Sequence, residues 1–182
     1  MDEASYRQAD LLLVGWQGDF SVSQIYNSSI QRIISNATAD VAVLKNRGLE
    51  AMDSILIPWG GGPHAQLGLE FAMRIGEATG ATIHVLRIVQ PGVNTDLERQ
   101  AVKNSVTQII GDYERVHYHV QEAEDFMERM QWFLDNGGYD LVIIGASHEW
   151  RIRNFLFGSI PDIVADYADS SVLMVRRYLL EH

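Results

Sequence analysis

The sequence predicts an α/β fold built on a parallel sheet, and three observations carry that expectation. From Ser54 onward, short apolar runs alternate with stretches of helical periodicity. The run Leu141 to Ile144 passes directly into a loop that opens on Gly145 and closes on Gly158 and Ser159. That strand, loop and helix occur a second time near the start of the chain. Alternation of this kind places helices on the faces of a sheet, joined by right-handed crossovers. Ligands of such sheets bind beyond the carboxyl ends of the strands, where the strand order reverses.

The repeat aligns without a gap at an offset of 130: Asp10 with Asp140, Gly15 with Gly145, Ser29 with Ser159, Ile30 with Ile160 and Ile33 with Ile163. Fixed self-similarity marks a duplicated unit. In its second copy the loop reads Gly145, two residues, His148, nine residues, Gly158, Ser159; in the first it reads Gly15, Gly18, then Ser28 and Ser29. A glycine pair before a helix suits phosphate, because the backbone can approach closely and the helix start offers unpaired N–H groups. The spacing resembles the nucleotide loop of the universal stress protein family, which runs Gly, two residues, Gly, nine residues, Gly, then Ser or Thr. Each copy keeps the spacing and loses one glycine. The stretch from Ile55 to Val89 is also similar to that family's opening half. The resemblance implies a five-stranded parallel sheet of order 3-2-1-4-5 with helices on both faces, a Rossmann-like adenine-nucleotide fold.

In chain order, Met1 to Gln8 are a polar lead-in, and Leu11 to Val14 read as a strand. The stripe Ile30, Ile33, Ile34, Ala37 then marks a helix, and Val41 to Leu44 a second strand. Asn46 to Met52 link the copies. Strands follow at Ser54 to Pro58, Thr82 to Ile88, Arg115 to Val120, Leu141 to Ile144 and Val172 to Val175; helices are expected over Gln66 to Thr79, Asp96 to Ile110 and Asp125 to Leu134. In the later copy the helical stripe returns as Ile160, Ile163, Val164 and Tyr167. Residues 1–49 thus form the C-terminal part of a first unit and residues 53–177 a complete one, with 180–182 read as the start of an expression tag. Three strands that would precede Asp10 are missing from the first unit, so the expectation is a cut from a longer polypeptide or a half supplied by another segment.

Composition narrows the function. A formal charge of -10, with Lys45 and Lys103 the only lysines among 14 cationic residues, argues against a nucleic-acid partner. The chain has no cysteine, which removes disulfides and thiol catalysis. No apolar run approaches the roughly 18 residues of a membrane span, so the chain reads as soluble, without direct membrane insertion.

The resemblance implies a nucleotide site at Pro58, Trp59, Gly60, Gly61, Ile88, Ile144, Gly145, His148, Gly158, Ser159 and Ile160, with Gly15, Gly18, Ser28 and Ser29 the altered loop of the first copy. Gly60 stands where the family places an acidic residue that helps hold adenine and ribose. Beside it, Trp59 either stacks on a base or fills the vacated space. His148 is either a donor to phosphate or an exposed imidazole obstructing the loop. The Gly145 loop is either a phosphate cradle or a tight turn with no ligand. Arg151 and Arg153 could neutralise phosphate, but loop arginines are more often solvated or paired. His117 and His119, two apart on a strand, share a face; no third ligand is near, so a metal is not expected.

Nothing resembles a catalytic set, and no enzyme is expected. The leading reading is a universal-stress-like regulatory module with a weak ATP or AMP site, the cytoplasmic domain of a membrane transporter. Tandem copies with an LLLVGW-type strand resemble the tails of some amino-acid permeases and cation-chloride transporters. The alternatives are a stand-alone ATP-binding stress protein, an interaction domain without ligand and, last, a slow ATP hydrolase. In the family, units join through their final strands, running antiparallel. Here that contact would pair Val172 to Val175 with Val41 to Leu44 and leave Leu11 to Val14 as an outer edge, for which a homodimer is the expected cover. Besides a second chain, the expected partners are the other half of the first unit or a transporter membrane domain.

Overall fold

The computed structural model describes residues 9–17, 36–146 and 168–179. Seven strands are found there: β1 (Leu11–Gly15), β2 (Asp40–Lys45), β3 (Ser54–Pro58), β4 (Thr82–Val89), β5 (Val116–Glu122), β6 (Leu141–Gly145) and β7 (Ser171–Arg176). Between them run helices α1 (Pro63–Thr79), α2 (Thr95–Ile110) and α3 (Phe126–Asn136). The strands form one sheet in the order β1-β2-β7-β6-β3-β4-β5. Counted from β3, the last five strands give the expected order 3-2-1-4-5. The sheet differs from a five-stranded parallel one in carrying two more strands, and in being mixed: β2 runs antiparallel to β7 while the other neighbours run parallel.

The strand pairs β1–β2 and β6–β7, expected as two copies, close on matching hydrogen bonds. In the first copy Asp40 N–H donates to the Asp10 carbonyl (3.1 Å) and Trp16 N–H to the Leu44 carbonyl (2.8 Å); in the second Ser171 N–H donates to Asp140 (3.2 Å) and Ala146 N–H to Val175 (2.8 Å). The first strands of the two pairs are offset by 130 and the second by 131, so one residue has been added between them. At that second offset, Val43 and Met174 are equivalent, and they are also direct partners across the β2–β7 junction. The two strand pairs therefore meet about a local two-fold axis through that pair, as identical subunits do in an isologous dimer.

Side chains alternate across the sheet and build a core on each face. Ile55 and Ile57 join Trp59, Leu69, Val85, Val102, Ile143 and Val175 beneath α1 and α2. Leu56 joins Leu86, Met130, Phe133, Val142, Ile144 and Met174 on the α3 side, together with Val41 and Val43 of the first copy. One hydrophobic layer thus crosses from copy to copy.

The helices begin where local chemistry lets them. Asn94 caps α2 by accepting from the Asp96 and Leu97 N–H groups, and Asp125 caps α3 by accepting from Met127 and Glu128. Asp125 is thus a cap rather than the first helical residue. α1 starts at Pro63, three residues before the expected Gln66. Gly62 is its cap, and Pro63 occupies the first turn, where a missing N–H costs nothing. The helix ends on Gly80 at φ 80°, whose N–H bonds back to Gly76. β5 runs from Val116 through Glu122, later at both ends than the expected Arg115 to Val120. The helix expected over Ile30 to Ala37 falls largely outside the described residues, as does Ile160 to Tyr167.

Candidate nucleotide site

The carboxyl ends of β3, β4 and β6 lie side by side, as the topology requires. Pro58 ends β3, and Trp59 follows with its N–H donating to the Leu86 carbonyl at 2.7 Å. The Trp59 side chain is buried among the residues under α1 and α2. Ile88 and Ile144 belong to the opposite face. Trp59 therefore fills the core on its own side and is not placed to stack on a base lying against Ile88.

Gly60, Gly61 and Gly62 present bare backbone at the start of α1. A Cβ at any of them would meet nothing within 4 Å, and Gly61 has φ +76°, which a side chain disfavours. The loop is held by Gln66, whose Nε2 donates to the Gly61 carbonyl at 3.2 Å. It is held again by Arg87, whose Nη1 reaches the Trp59 carbonyl at 3.4 Å. Arg87 also pairs with Glu98 of α2 through its Nε, at 2.9 Å. No carboxylate stands at position 60, so the only acid tied to this loop, among the contacts described, is Glu98 through Arg87.

Gly145 has a different reason to be glycine. A Cβ there would lie 2.6 Å from the Ala65 nitrogen and 2.7 Å from the His64 carbonyl carbon, so the first turn of α1 sits directly on this residue. The glycine admits a helix, whether or not it also admits a ligand. His64 is fixed in turn, its Nδ1 accepting from the Arg177 N–H at 3.0 Å, while the Arg177 guanidinium meets Glu70 at 2.5 Å. At the same place in the first copy, a Cβ on Gly15 would meet nothing within 4 Å. His148, Gly158, Ser159 and Ile160 lie outside the described residues, as do Gly18, Ser28, Ser29, Arg151 and Arg153.

Beyond the ends of β4 and β5 the structure opens a groove lined by Arg87, Ile88, Val89, Gln90, Val93, Glu98, Ala123 and Phe126. Ile88 and Phe126 supply an apolar wall, and Gln90, Arg87 and Glu98 supply polar groups. Of these, Ile88 is among the residues expected at the site, and Phe126 is not. The signal was available in Asp125, a helix-capping residue just past a strand, which puts the next side chain at the carboxyl edge.

A second cluster lies between β4, β5 and α3. His117 and His119 do share a strand face, and His84 of β4 joins them, stacked on both with ring centroids 5.3 Å apart. His84 Nδ1 and His119 Nε2 are 3.0 Å apart, one donating to the other. Tyr139 and Phe133 close the cluster edge-on. Burial, then the charges of His119 and His117, lower the His84 pKa to about 4; burial, then His117 and Arg99, also lower that of His119. Among the described residues no group of three or more His, Cys, Asp or Glu is arranged to hold a metal ion.

No protein-family model matches the sequence, and no curated protein matches it. Solved structures do. A universal stress protein from Archaeoglobus fulgidus DSM 4304 matches with a TM-score of 0.68 and 14% identity, over 95% of this chain and 63% of its own. The fold is that of the universal stress proteins. A putative universal stress protein from Pseudomonas aeruginosa UCBPP-PA14 matches at 0.62 and 15%, over 97% of this chain and 66% of its own. A universal stress protein in complex with cAMP matches at 0.57 and 16%, over 70% of this chain and 99% of its own. This chain therefore spans about two thirds of the longer universal-stress structures, and contains nearly all of the shorter one. Among the described residues, no helix is long and apolar enough to cross a membrane.

Proposed function

We propose that this chain is a regulatory module of the universal-stress type, whose second copy carries a weakened adenine-nucleotide site. The observations that support it are the open backbone of Gly60 to Gly62 after β3 and the groove walled by Ile88 and Phe126, which Arg87 links by lining the groove and reaching the Trp59 carbonyl, at the strand ends where this fold admits ligands. Ile88 and Phe126 would hold the base, and the glycine backbone would allow the sugar and phosphates to approach. The bound cAMP of one solved neighbour agrees with an adenine nucleotide as the ligand class. Weak binding follows from Gly60, which removes a hydrogen-bonding carboxylate, and from Trp59, which is committed to the opposite core. ATP, ADP and AMP are expected to bind with dissociation constants of about 0.1 mM or weaker. Isothermal titration tests this, and micromolar affinity for ATP would contradict it. Gly158→Val should remove binding from a folded protein.

A second reading is favoured by Gly145, whose identity the α1 contact explains without a ligand: an interaction domain that binds no nucleotide. The same titration separates the two, since that domain would give no heat with any of the three at millimolar concentration. The similarity to permease and cation-chloride transporter tails supports a place at the cytoplasmic face of a membrane, tethered through a segment outside this chain. Recovery of the natural polypeptide from the cytosolic fraction alone would overturn that placement.

A further inference from the structure

The outer side of β1 is the least finished surface of the sheet. Among the described residues β1 pairs with β2 alone. The Asp10 carbonyl and the Trp16 N–H engage β2. Because backbone groups alternate along a strand, the N–H and C=O groups of Leu11, Leu13 and Gly15 point away from it. Leu11 is 37% exposed and Leu13 62%, whereas their equivalents in the second copy, Leu141 and Ile143, are 2% and 0% exposed. β6 reaches that burial because β3 pairs with its edge and α1 lies on its face, close enough that a Cβ on Gly68 would be 3.2 Å from Ile143 Cγ2. β1 also lacks the charges, prolines and bulges with which exposed edges are usually protected.

We propose that this edge is a self-association surface, at which a second copy of the chain lays its own β1 antiparallel, Leu11 of one protomer opposite the partner's Leu13. Three observations favour a second copy as the occupant. The strand is self-complementary: a two-fold axis through Leu12 sets each exposed leucine against the other and points the free N–H and C=O groups of both strands at one another. The new pairing continues the same sheet as the β2–β7 junction, where this fold already joins its own copy antiparallel about the Val43–Met174 pair. The strand itself carries no charge, so the net charge of -10 opposes association only at longer range, and added salt strengthens the dimer. In the structure Leu12 packs on the α3-side core, so the test belongs on Leu13.

Light scattering on the 182-residue chain at tens of micromolar should return a dimer. Leu13→Lys should return a monomer with an unchanged circular dichroism spectrum, and Leu97→Lys, at a leucine 71% exposed on α2, should leave the dimer intact. The absence of cysteine allows a test of register. Opposed residues of a hydrogen-bonded antiparallel pair have Cα atoms about 5.5 Å apart, within disulfide reach. Oxidising a mixture of Leu11→Cys and Leu13→Cys should therefore yield a cross-linked pair, and either variant alone should yield little. A monomeric native chain, a dimer that survives Leu13→Lys, or cross-linking within single variants but not the mixture would each overturn the proposal. The first would leave the edge to a strand from another polypeptide.

Discussion

Leu13 and Ile143 hold equivalent places in two strand pairs of matching register, yet Leu13 is 62% exposed and Ile143 0%. Gly15 and Gly145 are equivalent as well, and only Gly145 has a helix resting on it. The strands are alike in length, partner register and closing hydrogen bonds. They differ in what has been added on one side: β3 and α1 complete β6, and nothing among the described residues does the same for β1. Equivalent sequence therefore carries different energetic weight in the two copies. A local motif specifies a strand and its turn, but the burial that stabilises it comes from elements far away in the chain.

Substitutions at equivalent positions should divide accordingly. The largest difference is expected between Ile143→Ala and Leu13→Ala. The first empties a fully buried site and should cost about 2–5 kcal/mol, while the second should stay within about 0.5 kcal/mol, both read from urea denaturation of the native background at a concentration low enough to keep the chain monomeric. Next comes the glycine pair. Gly145→Ala drives a methyl into the Ala65 and His64 backbone and should cost about 1–3 kcal/mol, whereas Gly15→Ala should be neutral. Equal costs at the two glycines would mean that β1 is covered after all.

A smaller effect should come from the histidine cluster, which belongs wholly to the second copy. His84 is held neutral in the fold, its pKa lowered to about 4 from an ordinary 6.5 by burial and by the facing His119 and His117. Tyr139 packs on it edge-on, and the lowered His119 also feels Arg99. Between those two values the unfolded chain binds the proton and the folded chain does not. Stability is thus complete above pH 6.5 and declines as pH falls towards 4. His84→Gln should flatten that decline in denaturation midpoints measured across the range; an unchanged slope would place the acid sensitivity elsewhere. The smallest effect should be at the linker, where Asn46 Oδ1 accepts from the Gly48 and Leu49 N–H groups. Asn46→Ala should cost about 1 kcal/mol or less by the same assay.

Much of the architecture was legible because it rests on local periodicity. Apolar runs of four or five residues between amphipathic helices define the strands, and the self-similarity at a fixed offset picks out the two strand pairs that close on matching hydrogen bonds. The antiparallel meeting of Val41 to Leu44 with Val172 to Val175 was legible too, through family resemblance, and the register bears it out. The start of α1 was misread because Gly60 to Pro63 looks like a turn, although proline in a first helical turn is favourable. His84 was overlooked because it sits in an apolar strand and its partner His119 lies 35 residues away. The reason for Gly145 was hidden for the same cause: its contact is with the first turn of α1, about 80 residues earlier, and no local pattern reports it.

The ligand site is proposed for the carboxyl ends of β3, β4 and β5 and the open edge for β1, and a titration followed residue by residue tests that division most directly. With ATP added to isotopically labelled protein, amide resonances of Gly60, Gly61, Gly62, Ile88 and Phe126 should move together, saturating with a dissociation constant of about 0.1 mM or weaker. Those of Leu11 to Gly15 should stay in place. Shifts centred on the first copy, or saturation at micromolar ATP, would contradict the account.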